Sequence, residues 1–323
     1  MIIRSFEEKD LKKVVELWNE SVVPYSIYKP FTEESFKEKF LNHPLFDKDG
    51  FKLLFVEEKL LAFGHALATN VATQGGFITC MAVERKFQRQ GYGSKLLNVL
   101  EEYLKEKKKT FIRLYFASPI NLEWFIPDTK QADHPGAPGI PYNSPYYFFL
   151  LANGYNTNGQ LDAYYLNIYN YEIPQKVIDK ELENEVLGYK ITIYDEKKHE
   201  GFPELFDALK NPGWHEAVKN NLAREKPFPM LIAEKDGKIL GWTGPMYTQE
   251  SGRGYFAGIG IHPDTQGLGL GKSLFCHLCY QSRVNGARFM TLFTGSDNPA
   301  RNIYLYAGFK VRMSFAIMRK DFK

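Results

Sequence analysis

Apolar and polar positions along this chain follow two periods, and the same succession of periods is met twice. Residues 2–6 read as a first strand. Residues 8–20 then place Leu11, Val14, Val15, Leu17 and Trp18 at helical spacing. A second helix is predicted over 32–41, opened by Thr32 with Glu34 nearby. Strands follow at about 51–57, 60–69 and 76–84, then a helix at about 91–107 and a fifth strand at 110–117. A second series begins at Tyr189, with Lys190 to Tyr194 as its first strand. It continues through helices near 197–209 and 213–223 and strands near 229–235, 238–248 and 253–261. A helix at about 270–285, a strand at about 288–294, a short helix at about 299–307 and a closing strand complete it. Between the series, Pro174 precedes a charged stretch from Gln175 to Glu185, which predicts a linker helix within 171–188. The expected organisation is therefore 1–170, a linker at 171–188, and 189–323.

At the same point of each series stands the same glycine motif. Gln88-Arg89-Gln90-Gly91-Tyr92-Gly93 is matched by Gln266-Gly267-Leu268-Gly269-Leu270-Gly271, and both read Q-x-x-G-x-G. Two copies in matching strand-to-helix contexts indicate an internal duplication. The first amides of a helix lack intrahelical partners and carry the positive end of its dipole, so such a junction suits a phosphate. Ser94-Lys95 follow the first copy and Lys272-Ser273 the second. A pyrophosphate cradle is the sharp reading, and a glycine-rich turn without ligand is the plain one. A P-loop is excluded, because Gly267 and Gly271 enclose three residues rather than four. The dinucleotide fingerprint fails because its third glycine position holds Leu96 or Leu274.

Composition narrows the class. A chain of 323 residues has room for two domains, and 44% hydrophobic residues can fill two cores. A net charge of +3 argues against a dedicated nucleic-acid binder. The basic run from Lys105 to Lys109 falls late in a helix and reads as a solvated face. Three cysteines make no disulfide framework, and no metal site is expected. Cys276 and Cys279 have C-x-x-C spacing but lie inside the helix after the second loop, where buried core thiols are expected. The N-terminus has no signal-like apolar region, and no apolar run approaches about 18 residues. A cytoplasmic protein with no membrane partner is expected.

With these motifs in place, the chain resembles the GNAT acetyltransferases, whose acetyl-CoA motif is [QR]-x-x-G-x-[GA]. In the second half, Ile261 to Gln266 resembles the family's V-x-P-x-x-[QR] approach. Asn298-Pro299-Ala300, Ile303-Tyr304 and Gly308-Phe309 resemble its N…A-x-x-L-Y-x-x-x-G-F. The first half matches less fully, with Met81-Ala82-Val83 before its loop and Gly154-Tyr155 in the G-F place. The whole chain is similar to tandem two-module GNAT proteins. This implies an α/β (α+β) fold of two modules, each a mixed, centrally splayed sheet flanked by helices.

The resemblance also assigns roles. Acetyl-CoA would be the co-substrate. Backbone groups of Ile259 and Ile261 would hold pantetheine, with Met81 and Val83 as their counterparts. Residues Gln266, Gly267, Leu268, Gly269, Leu270, Gly271 and Lys272, with Asn298, would hold the coenzyme in the second module. Gln88, Arg89, Gln90, Gly91, Tyr92, Gly93 and Ser94 would do so in the first. Tyr304, four residues before Gly308, stands where the family carries its thiolate-protonating tyrosine; Tyr306 is off that spacing. A phenol of reference pKa about 10 can donate at neutral pH. The same count in the first module lands on Leu150, which has no proton to give. The C-terminal module is therefore expected to catalyse. The family's usual glutamate base has Tyr255 or Phe77 in its place, leaving Glu250, His262 or water as candidates.

The modules differ in length at one place. Asn298 precedes Gly308 by 10 residues, whereas Asn121 precedes Gly154 by 33. The added segment, about 122–143, carries several prolines and aromatics, so an ordered loop is expected, as a lid, an interface or plain packing. A place bounding a substrate cleft between modules is expected, lined by Trp124, Phe125, His134 and Tyr142. The leading reading is an acetyl-CoA-dependent N-acetyltransferase of a small primary amine, for which a monomer suffices. A coenzyme A-binding sensor without turnover and a protein N-acetyltransferase are the alternatives.

Overall fold

The computed structural model describes residues 1–70 and 75–322. The chain forms two compact units, one of residues 1–163 with 312–323 and one of 164–311. This differs from the expected division at 171–188.

The first unit opens with β1 (Ile2–Ser5) and α1 (Leu11–Ser21), whose buried face is Leu11, Val14, Val15, Leu17 and Trp18. A short α2 (Glu33–Phe36) starts at Thr32, which accepts from the Ser35 amide, and runs into a π turn through Leu41. Strands β2 (Phe51–Val56), β3 (Lys59–Ala68) and β4 (Gly76–Val83) form antiparallel neighbours with β1. Helix α3 (Tyr92–Glu106) covers them, and β5 (Phe111–Leu114) returns parallel to β4. That parallel pairing holds only for Gly76–Ile112 and Phe77–Arg113; further along, β4 is paired on its β3 side alone.

The inserted segment is ordered. Its short strands β6 (Trp124–Phe125) and β7 (Asp133–His134) pair, and β8 (Ile140–Pro141) lies against the C-terminal strand. Trp124, His134, Lys29 and their partners pack it onto its own unit. The Trp124 indole donates to the Gly136 carbonyl, and the Lys29 ammonium sits between Asp133 and Glu123. Helix α4 (Pro145–Ala152) follows, capped by Ser144, then the long β9 (Asn156–Asn167), which begins in the first unit and ends in the second.

The second unit contains α5 (Gln175–Val186), β10 (Tyr189–Ile193), α6 (Phe202–Leu209), α7 (Pro212–Leu222), β11 (Leu231–Lys235) and β12 (Lys238–Gly244). The predicted strand 238–248 breaks at Pro245, which has no amide to donate, and resumes as β13 (Tyr247–Thr248). The predicted strand 253–261 is likewise two strands, β14 (Arg253–Tyr255) and β15 (Gly258–Ile261). They are followed by α8 (Leu270–Val284), β16 (Phe289–Gly295), α9 (Arg301–Tyr306) and β17 (Lys310–Asp321). Strands β10, β11, β12 and β15 form an antiparallel sheet. Strand β14 pairs parallel with β16 at Arg253–Phe289 and Gly254–Met290 alone. Each of these four residues stands 177 positions after its counterpart in the β4–β5 pair, so the splay recurs at the same point of both units. The glycine loops are 178 apart, and the extra residue falls where β14 and β15 separate.

Two expected boundaries move. Helix α5 packs on α8 and β10 as part of the second unit rather than as a spacer. The closing strand, expected to finish the second module, belongs to the first from Arg312 onward. Met318 to Asp321 pair with Leu114 to Phe111, and Phe315, Ala316 and Met318 are fully buried. Ala316 and Met318 share a core with Ile112, Leu114 and Ile140. Among the described residues no helix is long and apolar enough to cross a membrane.

Candidate active site

Both glycine loops stand where the sequence places them, each between a splayed strand and the helix it opens. Gly91 and Gly269 cap α3 and α8 with φ of +85° and +80°. Gly267 has φ +89°, and Arg89 takes the matching left-handed conformation at +60°. A side chain at Gly91 or Gly267 would meet nothing within 4 Å, so the space over each loop is open to a ligand. Gly93 and Gly271 serve differently. A Cβ at Gly93 would lie 3.1 Å from Phe149 of α4, and one at Gly271 would lie 3.2 Å from Ile303 of α9 and 3.4 Å from Ile261 of β15. Their bareness lets strand, loop helix and following helix close on one another. Gly271 was expected to admit a pyrophosphate; its nearest neighbours are these side chains.

The other loop residues brace the turn. The Gln88 side chain donates to the Val83 carbonyl and that of Gln90 to the Lys86 carbonyl. Gln266 is exposed. Lys272 lies over the Tyr306 ring at 4.5 Å, and Ser94 lines the first unit's cavity. Tyr92 packs edge-on against Phe87. Asn298 bonds Thr294 and accepts from the Ala300 amide, shaping the turn into α9.

The two loops differ in surroundings. In the second unit, α5 reaches the loop: the Asn184 amide donates to the Leu268 carbonyl at 2.9 Å, Lys180 runs beside Gly269, and Leu270 is buried. The Glu181 carboxylate holds the His277 ring of α8 at 3.0 Å. Sequence reasoning missed Asn184, because its partner is a backbone carbonyl 84 residues away. In the first unit the loop residues 88–91 are exposed, and the loop borders a cavity of about 1130 Å³. The cavity runs along β4 from Val83 back to Ile78, past Met81. Arg89, Gly91, Gly93 and Ser94 stand at one end, and Tyr28, Leu114, Ile120 and Ile140 line it elsewhere. A loop cradle, an unpaired strand edge and a cleft beside both fit a coenzyme A thioester.

Of the four residues expected to line a cleft from the insertion, Tyr142 alone borders this cavity. Trp124 and His134 are buried in the unit's packing, and Phe125 is exposed, with the Lys29 ammonium 5.5 Å from its ring centre. The wall is built instead by Ile120, Leu122, Ala137, Gly139 and Ile140.

Tyr304 sits on α9 at 8% exposure, packed among Phe275, Tyr164 and Phe309. Burial, with Tyr164 beside it, pushes its phenol up to about 12, so its proton is held throughout the neutral range. Leu150, its counterpart by count, is fully buried. In the first unit Tyr146 borders the cavity, and its hydroxyl is buried without a hydrogen-bond partner among the described residues. Burial, with Tyr28 and Cys80 nearby, raises its pKa well above the usual phenol value. Of the proposed bases, His262 accepts from the Asp264 amide and so caps a turn, and Glu250 lies exposed after β13. Tyr255 stacks on Tyr247 with ring centres 4.5 Å apart, and Phe77 stacks on Tyr115. Cys276 and Cys279 are buried free thiols on α8, raised in pKa by that burial.

Residues 12–123 and 182–309 each match the acetyltransferase (GNAT) family. A mycothiol acetyltransferase of Cellulomonas flavigena is 36% identical over 93 residues, which cover 26% of this chain and 27% of that relative. The chain thus spans about a quarter of the length of the curated relative it matches. Among solved structures, the glucosamine N-acetyltransferase region of a fungal multi-domain β-N-acetylglucosaminidase has a TM-score of 0.71 at 15% identity, over 99% of this chain and 38% of that one. A GCN5-related N-acetyltransferase of Sphaerobacter thermophilus gives 0.64 at 15%, over 99% and 95%. A tandem GNAT protein of the clavulanic acid pathway gives 0.57 at 11%, over 99% and 98%. Identities this low carry the fold alone. Two family regions on a duplicated, splayed α/β sheet settle the family: the chain belongs to the acetyltransferase (GNAT) family as a tandem member.

Proposed function

We propose that the chain transfers an acetyl group from acetyl-CoA to a primary amine of a small molecule, with the second unit carrying the chemistry. The observation that carries this reading is Tyr304. It stands on α9 next to Ile303, which closes against Gly271 at the head of α8, and its phenol keeps its proton far above neutral pH. Acetyl-CoA supplies the acetyl group as an activated thioester. The chain's residues hold and orient it: the amides at the head of α8 face the anionic end, and β15 offers its edge from Gly258 to Ile261. The Tyr304 hydroxyl holds a proton for the departing sulfur. Leu150 gives the first unit no equivalent donor at that position. A small-molecule acceptor is supported by the mycothiol acetyltransferase match, which covers part of each chain.

The test is release of free thiol from acetyl-CoA against a panel of amines. Turnover should appear with at least one small amine and fall about 100-fold or more in Tyr304→Phe. Coenzyme binding without thiol release from any amine would replace this reading with that of a binding protein.

A further inference from the structure

The first unit's cavity continues past its glycine-loop end into an apolar chamber. Its lining follows β4 over six residues from Val83 to Ile78, five steps or about 17 Å at strand rise. The charged residues that line it, Arg85 and Arg89, both belong to the glycine-loop end. At the level of Ile78, β5 and β8 supply Leu114 and Ile140, and Ile120, Leu122 and Ala137 complete an apolar wall. Among the described residues no Asp, Glu, His or Lys lines it. A charged amine would find no counter-charge there, whereas hydrocarbon would find a matching surface. The polar side chains that line it away from the loop, among them Thr79, Ser118 and Asn121, are all uncharged.

We propose that the first unit is a second coenzyme A thioester site, and that it takes an acyl chain longer than acetyl. Arg89 and the head of α3 hold the diphosphate end. The free edge of β4 at Met81 and Val83 takes the pantetheine arm. The acyl chain lies in the chamber bounded by Ile120, Leu122, Ala137 and Ile140. The proposal rests on the reading of the first glycine loop as a coenzyme site.

Calorimetric titration of the full chain with free CoA, acetyl-CoA, butyryl-CoA and hexanoyl-CoA tests it. Arg89→Glu, an exposed change, identifies the site in question. At the Arg89-sensitive site, affinity should rise by up to about fourfold per added methylene, so hexanoyl-CoA, four methylenes longer, should bind tighter than acetyl-CoA by up to about 250-fold. Ala137→Leu and Ile140→Phe, each checked for native folding, should flatten that series. An Arg89-sensitive site with equal affinity for all three thioesters overturns the long-chain proposal while keeping the loop reading. Absence of any Arg89-sensitive coenzyme binding overturns the loop reading and the proposal together.

Discussion

At the residue scale, burial decides what the titratable side chains can do. Tyr304, raised to about 12 by burial, stays protonated through the whole range in which amines lose their protons. Tyr304→Phe removes one hydroxyl and little volume, so the loss should fall on kcat, with KM for acetyl-CoA nearly unchanged. Equal kcat for variant and wild type would remove Tyr304 from the chemistry. His65 titrates in the opposite sense. It is fully buried among Phe40, Phe46 and Phe51, its Nδ1 meets the Thr79 hydroxyl at 2.7 Å, and burial lowers its pKa to about 3. The unfolded chain binds this proton below about pH 6.5 and the folded chain does not. The stabilisation is therefore complete above pH 6.5 and is lost as pH falls toward 3. Between pH 7.5 and 5 this group alone should lower stability by about 2 kcal/mol, at about 1.4 kcal/mol per pH unit. Urea melts of wild type and His65→Gln should show that slope in the former and its absence in the latter.

At the scale of elements, the second glycine of each motif is a packing device. Valine at Gly93 or Gly271 drives a branched side chain into Phe149 or into Ile303 and Ile261. Overpacking of this kind costs about 1–3 kcal/mol and should push α4 or α9 away from the loop helix. Calorimetry on Gly271→Val should therefore show acetyl-CoA binding lost or much weakened in the second unit; retained affinity and stoichiometry would sink the site assignment. A second element-level contact is β17 on α3. The Lys320 ammonium bonds the buried Glu101 carboxylate at 2.7 and 2.9 Å, and the Tyr155 hydroxyl bonds the same carboxylate. Lys320→Met leaves that carboxylate without its counter-charge. With Lys320 about a quarter exposed, the loss should sit at the lower end of the roughly 3–5 kcal/mol seen for fully buried pairs, readable by urea denaturation.

At the scale of the whole molecule, the chain's last strand belongs to the unit that its first residues build. A fragment of residues 1–170 lacks Phe315, Ala316 and Met318 from its core and leaves the edge of β5 uncovered. That fragment should be unfolded or aggregated. Joining residues 312–322 to it through a flexible Gly-Ser linker should restore a cooperative urea transition. A stable, cooperative 1–170 fragment would show that the C-terminal strand is dispensable.

The sequence by itself determined what depends on local pattern. The apolar face of α1, the strand–loop–helix junctions at Gly91 and Gly269, the Thr32 cap and the duplication were all legible, because each is set by residues a few positions apart. The splayed, mixed sheet came through the family resemblance, and paired residues with a constant offset bear it out. Tertiary structure decided what depends on distant partners. β17 joins the first unit because its buried residues complete a core whose β5 partners lie more than 200 positions earlier, a contact no periodicity encodes. Asn184 meets the second loop only once α5 has docked. The insertion's Trp124 and His134, promising as pocket residues by type, went to packing, while Ala137 and Ile140 became the cavity wall. Side-chain type is written in the sequence; which side chains face a ligand depends on how the surrounding chain closes over them.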